Sequence, residues 1–174
     1  FHNIVEGETP ATMAKSTGLG LMDASMIFDN LQTDILVVVG DRFEMMSVTL
    51  AAAYMNIIIV HTMGGEVTGT IDESIRHAIT KFAQIHFPAN EDSRQRIIKM
   101  GEDPEFVFNV GCPRTDLVAD ELKNDSYQVL NSIFKIFGGV GKDFNLKEPY
   151  LLVSQHSVTT EFGEGEKQIT ATLK

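Results

Sequence analysis

The sequence predicts an α/β fold built on a doubly wound parallel sheet. Apolar runs rich in Val, Ile and Leu recur along the 174-residue chain, and polar or glycine residues bound each run. Continuous β-branched runs are typical of strands buried on both faces, as in parallel sheets. Segments with helical spacing separate the runs, and this alternation indicates the α/β class. The predicted strands cover residues 35–39, 57–60, 85–87, 106–110 and 150–153.

The segments between the runs carry the spacing of amphipathic helices. Residues 44–56 are rich in Met, Ala and Leu and are long enough for three turns. Apolar side chains fall at intervals of three and four over residues 72–82, which predicts one apolar stripe. Residues 91–100 repeat the pattern, with Gly101 as the expected stop. The stretch 116–137 predicts one or two further helices.

Glycines mark the expected breaks in the chain. Residues 18–23 start like a dinucleotide-binding fingerprint, but a third glycine and a preceding strand are missing, so we expect a turn that enters or leaves a helix. The glycine-rich stretch 138–143 predicts a linker or a long turn. A new strand and a helix-like piece follow it. We therefore predict two domains, residues 1–145 and residues 146–174, of which the second is only begun.

Composition excludes several classes of protein. A formal net charge of −10 argues against a nucleic-acid partner, because binding depends on Lys and Arg that neutralise phosphates. No apolar stretch reaches the roughly 18 residues of a membrane span, and the first residues show no secretory leader. Cys112 is the only cysteine, which excludes an internal disulfide and a multi-thiolate zinc site. We expect a cytoplasmic protein without a membrane, metal or cofactor requirement.

Polar side chains follow the predicted strands where each strand ends. Asp41 and Arg42 follow the first, His61 ends the second, and His156 follows the last. Ligands bind at the carboxyl ends of strands in open parallel sheets, so these residues predict a polar cleft. Two roles are open for Asp41: a cap of the next helix, or an acid or base at the floor of the cleft. For His61 a buried position bonded to backbone is the more frequent role, and His86 is expected to be structural.

The second strand leads through a glycine-containing loop, residues 64–69, into a predicted helix. Backbone amides at such a helix start can bind phosphate. On this helix Asp72 with Arg76, and Glu73 with His77, form i,i+4 pairs. Surface pairs of this kind are common and contribute roughly 0.5 kcal/mol or less. Their place next to the predicted cleft is what makes them candidates for chemistry.

Five blocks of the sequence carry a resemblance to a known family. The blocks are MAKSTGLG at 13–20, GDRFE at 40–44, GGEVTGTIDESIRHAITK at 64–81, GCP at 111–113, and QH with VTT within 155–160. Together they resemble the hydrolysing UDP-N-acetylglucosamine 2-epimerases of sialic-acid-type biosynthesis. The resemblance implies a GT-B-like enzyme with a site between two Rossmann-like halves. This chain matches the first half without its opening strand, and the start of the second.

The resemblance also implies a reaction and its residues. UDP leaves by anti elimination to give a 2-acetamidoglucal, and water then adds to give free N-acetylmannosamine. Asp41 and Asp72 match the catalytic carboxylates, Arg76 matches the arginine beside them, and Glu73 is a further catalytic candidate. His156 matches a histidine that contacts the nucleotide or leaving group. The other candidate substrate-binding residues are Arg42, His61, Gly65 and Glu66.

Two positions depart from the family pattern, and several functions stay open. Met63 stands where some relatives have a catalytic Glu, and Ser157 stands where the family usually has Pro. The open alternatives are the same chemistry on a UDP-2,4-diacetamido-2,4,6-trideoxyhexose, a non-hydrolysing epimerase, and a non-catalytic nucleotide-sugar binding module. The UDP-sugar is the expected partner, and a homo-oligomer is expected for the full-length protein. We expect the 174 residues alone to be inactive.

Overall fold

The computed structural model of the chain describes residues 5, 9–124, 127–138, 141, 145–156, 161 and 163–174. Strands and helices alternate over its first part, and helices follow. A short 3-10 helix lies between the fourth and fifth α-helices. The elements are α1 (Pro10–Leu31), β1 (Ile35–Val39), α2 (Phe43–Tyr54), β2 (Ile58–Thr62), α3 (Ile71–Phe82), β3 (Ile85–Phe87), α4 (Glu91–Lys99), the 3-10 helix (Pro104–Phe106), α5 (Pro113–Glu121), α6 (Tyr127–Phe137) and α7 (Gly165–Thr172).

The three strands form one parallel sheet in the order β1-β2-β3. Val38 lies opposite His61, and His61 lies opposite His86, so these three residues form one row across the sheet. Helix α2 connects β1 to β2 and α3 connects β2 to β3, as parallel neighbours require. The predicted α/β class with a parallel sheet is confirmed.

Apolar side chains from the sheet and the first three helices form the core. Ile59 on β2 and Ile79 on α3 are fully buried, and Val38 on β1 is 1% exposed. Burying side chains of this size contributes roughly 1.5–3 kcal/mol each, which is what holds the helices on the sheet. The other members of this cluster are Ala24, Phe28, Ala51, Ala52, Ile57 and Ala83.

The turn predicted at residues 18–23 is wrong, because this stretch lies inside α1. The helix begins at a capping box in which Thr9 and Thr12 exchange side-chain and backbone hydrogen bonds. It packs on α2, where the Ser47 hydroxyl donates to the Thr17 carbonyl at 2.9 Å. Gly20 is buried in the helix. Tertiary packing therefore overrides the cost of about 1 kcal/mol that a glycine brings to a helix interior.

The strand predicted at 106–110 is also wrong, because these residues do not form a strand. The Phe108 amide donates to the His86 carbonyl at 2.9 Å and the Val110 amide to the Pro88 carbonyl at 3.3 Å. Val107 forms a single parallel bridge to His86. The return bond along β3 would need an N–H at residue 88, and proline has none. The segment runs beside β3 but makes no continuous ladder.

The strand predicted at 150–153 is wrong as well. These residues are coil, and the side chains of Leu151 and Leu152 are 94% and 86% exposed. A strand forms only where a neighbour completes its backbone hydrogen bonds. In the part of the chain that the structure describes, no strand pairs with this run. The run 116–137 does form helices, α5 and α6.

The chain forms two compact units, Phe1–Cys112 with Ser157–Lys174, and Pro113–His156. The predicted domain boundary between residues 145 and 146 stays a prediction. Of the predicted glycine-rich break, residues 139–140 and 142–143 lie outside the described residues, as does the stretch 157–160. None of the described helices is long and apolar enough to cross a membrane.

Candidate active site at the carboxyl ends of the strands

The end of β1 and the start of α3 are joined by an ion pair. Arg76 on α3 is only 4% exposed, and its Nη2 donates to Oδ2 of Asp41, whose side chain is 25% exposed. Arg76 Nη1 donates to the Glu66 carbonyl at 2.6 Å. A nearly buried guanidinium needs such acceptors, because an unpaired buried charge is costly. Arg76 therefore links Asp41 to the loop before α3 and holds both in place.

Asp41 does not cap the next helix. The N-cap position of α2 is Arg42, and its side chain makes no capping hydrogen bond. The ion pair of Arg76 is with Asp41, where the i,i+4 spacing predicted Asp72. Of the two roles that the sequence left open for Asp41, the capping role is excluded.

Asp72 lies in the first turn of α3 beside this ion pair. Partial burial raises the pKa of the Asp72 carboxyl, and the negative charge of Asp41 raises it further. The charges of Arg42 and Arg76 act in the opposite direction. Two neighbouring carboxyl groups with different surroundings are the arrangement that acid–base chemistry uses.

Arg42 lies at the exposed rim of this cluster. Its side chain is 65% exposed and makes two hydrogen bonds to Glu44, Nε to Oε2 at 3.1 Å and Nη2 to Oε1 at 2.9 Å. The guanidinium also lies 5.8 Å from the centre of the Phe43 ring. A ligand at these strand ends can bind the Arg42 guanidinium only by displacing Glu44 or sharing the guanidinium with it, and the sequence pattern did not indicate this partner.

Glu73 holds the loop that enters α3. Its Oε2 accepts hydrogen bonds from the backbone N–H of Thr68 at 2.6 Å and of Gly69 at 2.7 Å. The bonds from Gly69 and Thr68 lower the pKa of the Glu73 carboxyl. His77 Nε2 lies 3.9 Å from Glu73 Oε1, so the predicted i,i+4 pair is present. A phosphate at these two amides would compete with Glu73 for them.

The Gly64-Gly65 step is required by close packing. A Cβ on Gly65, whose φ is +80°, would lie 2.5 Å from the Ser93 carbonyl oxygen. Arg96 Nη1 donates to the Gly65 carbonyl, as Arg76 does to the next carbonyl, that of Glu66. The two arginines thus hold two successive carbonyl groups of one loop. Nothing in the local sequence pattern pointed to Arg96.

The remaining predicted site residues differ in their positions. His61 is 1% exposed, with both ring nitrogens near protein groups. Met63 has a left-handed backbone with φ of +59° directly before the glycines. His156 is exposed and lies in the second unit, outside any helix or strand. Among the described residues, no group of three or more His, Cys, Asp and Glu could hold a metal ion.

Solved structures share this fold. The UDP-GlcNAc 2-epimerase of Neisseria meningitidis, bound to UDP-GlcNAc, matches with a TM-score of 0.66 at 20% identity, over 78% of this chain and 38% of that one. The UDP-GlcNAc 2-epimerase of Methanocaldococcus jannaschii, in complex with UDP-GlcNAc and UDP, matches at 0.65 and 22%, over 75% and 37%. The chain thus has the Rossmann-like fold of one half of a GT-B-type architecture.

The chain belongs to the UDP-N-acetylglucosamine 2-epimerase family, whose family model matches residues 2–174. It is 41% identical over 121 residues to the UDP-N,N'-diacetylbacillosamine 2-epimerase (hydrolyzing) of Legionella pneumophila, covering 70% of this chain and 32% of that protein. It is 31% identical over 172 residues to the GDP/UDP-N,N'-diacetylbacillosamine 2-epimerase (hydrolyzing) of Campylobacter jejuni, covering 98% and 42%. The chain therefore spans about a third to two fifths of the length of these relatives. The family resemblance drawn from the sequence is confirmed.

Proposed function

We propose that the protein encoded by the whole reading frame is a hydrolysing 2-epimerase of a UDP-linked 2-acetamido sugar. It eliminates UDP to form a 2-acetamidoglucal and then adds water to release the free 2-epimeric sugar. The observation that carries this proposal is the Asp41–Arg76 ion pair beside Asp72, at the carboxyl end of β1 in a chain of this family.

The elimination needs a base for the proton on carbon 2 and a proton or positive charge for the departing pyrophosphate. We assign the base role to Asp41, because Arg76 holds its carboxylate in one place. We assign the proton-donor role to Asp72, because its raised pKa favours the protonated form relative to an ordinary aspartate. With Met63 where some relatives have Glu, these two carboxyl groups carry the acid–base work.

The other candidates have supporting roles in this scheme. Glu73, already bound to two backbone amides, shapes the loop and is less suited to proton transfer. Arg42, at the exposed rim, is the proposed contact for the substrate's phosphates. Gly65 and Glu66 form the loop wall. His156 is a proposed nucleotide contact through the resemblance alone. A cytoplasmic homo-oligomer remains part of the proposal.

Two sugars are candidates for the substrate. The family resemblance favours UDP-N-acetylglucosamine. The names of the Legionella and Campylobacter relatives favour UDP-N,N'-diacetylbacillosamine, a 2,4-diacetamido-2,4,6-trideoxy sugar. A relative in Neisseria meningitidis, 30% identical over 161 residues, is named a UDP-N-acetylglucosamine 2-epimerase. We therefore give the diacetamido sugar the first test and UDP-N-acetylglucosamine the second.

The decisive experiment incubates the complete protein with each UDP-sugar in D2O and follows UDP and sugar by NMR. We expect free UDP and a free 2-epimeric sugar carrying deuterium at carbon 2, because the original proton is abstracted. A UDP-linked epimer without free UDP would indicate the non-hydrolysing reaction. Binding of either UDP-sugar without any turnover would indicate a binding module, and both results would overturn the proposal.

A further inference from the structure

The buried side chain of His61 bridges two parts of the candidate active site. Its ring is 1% exposed, near the end of β2. Nε2 lies 3.1 Å from the Gly40 carbonyl oxygen, and Nδ1 lies 3.1 Å from the Thr80 hydroxyl oxygen. A carbonyl oxygen can only accept, so Nε2 carries the hydrogen. Both ring nitrogens are thus engaged by the protein and neither faces a ligand.

The bond to Gly40 acts on Asp41. A peptide unit is planar, and the plane that contains the Gly40 carbonyl ends at the Cα of Asp41. Gly40 has φ of +86°, so the chain turns sharply at this point. The His61 Nε2–H therefore sets the orientation of the peptide unit from which the Asp41 side chain extends.

The bond to Thr80 acts on Arg76. Thr80 lies one turn after Arg76 on α3, and its hydroxyl is 3.0 Å from the Arg76 carbonyl oxygen. The hydroxyl donates to this carbonyl and has only one hydrogen, so His61 Nδ1, the lone-pair nitrogen of a neutral ring, shares that hydrogen with the Arg76 carbonyl. Burial lowers the pKa of His61 to about 4, which keeps the ring neutral near pH 7. His61 thus contacts both supports of the Asp41–Arg76 ion pair.

The loop after β2 packs closely against the His61 ring. A Cβ on Gly64 would lie 2.9 Å from Nδ1 and 3.0 Å from the Thr80 hydroxyl oxygen. The glycine backbone therefore packs directly over the contact between the two side chains. Rotation of the imidazole would disrupt this packing and break the contact with Thr80.

We propose that His61 is a positioning residue that sets Asp41 and Arg76 against each other through Gly40 and Thr80. Only the kinetic test of this positioning role depends on the proposed function. In this role the buried His61 ring supports the reacting groups and does not contact the substrate.

The kinetic test compares His61→Phe and His61→Gln with His86→Phe in the complete protein. His86 is a matched control, since it is the register partner of His61 on β3, is also 1% exposed, and contacts Glu102 at 3.5 Å instead of the cluster. We expect His61→Phe to lower kcat about 100-fold with KM unchanged, because small misplacements of reacting groups cost this much. His61→Gln keeps an N–H for Gly40 and should recover part of the loss. His86→Phe should lose stability but keep kcat.

A second readout does not depend on turnover. In 15N NMR spectra of the complete protein, His61 should show the Nε2–H tautomer and resist protonation well below its ordinary pKa of 6.5. The slowly exchanging Arg76 guanidinium protons expected of a buried ion pair should be lost in His61→Phe and kept in His86→Phe. An Nδ1–H tautomer, unchanged Arg76 signals, or equal kcat losses in the two Phe variants would overturn the positioning role. Absence of turnover in the wild type would overturn the proposed function instead, and the NMR readouts would still decide the role of His61.

Discussion

Asp41 and Arg76 stand 35 residues apart in the sequence and form an ion pair across the end of β1 and the start of α3. Arg76 is nearly buried, while Asp41 keeps a quarter of its side chain exposed. The pair therefore leaves the carboxylate partly exposed to solvent and buries the cation that holds it. This contact supports the fold and also holds a proposed catalytic group, so stability and turnover are tested separately.

Asp41→Asn should abolish most turnover and leave the fold intact. Asparagine has the same shape and can still accept from Arg76, but it cannot take a proton from carbon 2. Loss of general-base catalysis lowers kcat by about 10²–10⁴-fold. UDP release measures the rate, and circular dichroism with thermal denaturation checks the fold. Wild-type rates in a folded variant would mean that the carboxylate is only structural.

Arg76→Met should destabilise the protein much more than Arg42→Met. Removing Arg76 leaves the Asp41 carboxylate without its partner and the Glu66 carbonyl without its donor. Breaking a buried pair from one side costs about 3–5 kcal/mol, whereas an exposed pair such as Arg42–Glu44 is worth at most about 1 kcal/mol. The midpoints of urea denaturation compare the two variants.

The Asp41→Asn, Arg76→Met double variant completes this comparison. Its loss of stability should be smaller than the sum of the two single losses, because each single variant already removes the attraction between the Asp41 and Arg76 charges. Strict additivity, or equal losses for Arg76→Met and Arg42→Met, would contradict the ion pair as described.

Gly65→Ala should cost more stability than Gly69→Ala. Both glycines have left-handed backbones, with φ of +80° and +72°, so an alanine pays roughly 1–2 kcal/mol for the conformation at either site. Only at Gly65 would the new Cβ also lie 2.5 Å from the Ser93 carbonyl oxygen, while nothing lies within 4 Å at Gly69. Thermal denaturation of the two variants should show the larger shift for Gly65→Ala. A larger shift for Gly69→Ala would count against the packing of this loop.

Stability should fall as the pH is lowered from about 6.5 to about 4. The folded state holds His61 neutral, mainly through burial, whereas the unfolded state takes up a proton near 6.5. The unfolded chain therefore binds more protons in this window, and stability rises with pH across it. A shift of this size corresponds to about 3 kcal/mol.

His61→Gln removes the titrating ring and should flatten the pH profile in this window. The wild type and His61→Gln should then be compared by urea denaturation at several pH values between 4 and 7. Identical slopes for the two proteins would show that other groups cause the acid sensitivity.

The elements predicted best are those with strong local patterns. The apolar runs at 35–39 and 85–87 became β1 and β3, and the apolar stripe from Asp72 became α3. The run 106–110 failed because Pro88 cannot complete the ladder beside it, and 150–153 failed because no strand pairs with it among the described residues. Glycines within 18–23 predicted a turn, and helix packing decided otherwise.

At the candidate site, the sequence pattern identified the residues more reliably than it predicted which groups they contact. Strand ends pointed to Asp41 and Arg42, and the helix start pointed to Asp72. The partner of Arg76 was expected on its own helix, and it is instead Asp41, which follows the end of β1. Arg96 and Thr80 support the loop and the helix, and neither carries a local signal of that role.

The sequence by itself determined the order of strands and helices from β1 to α4 and the polar character of the strand ends, because periodicity and apolar runs are local properties. The tertiary structure decided which groups pair. A nearly buried guanidinium must find acceptors within reach, and only the folded chain brings the Asp41 carboxylate and the Glu66 carbonyl to Arg76. The same holds for His61, whose two nitrogens become bonded only when β1, β2 and α3 pack together.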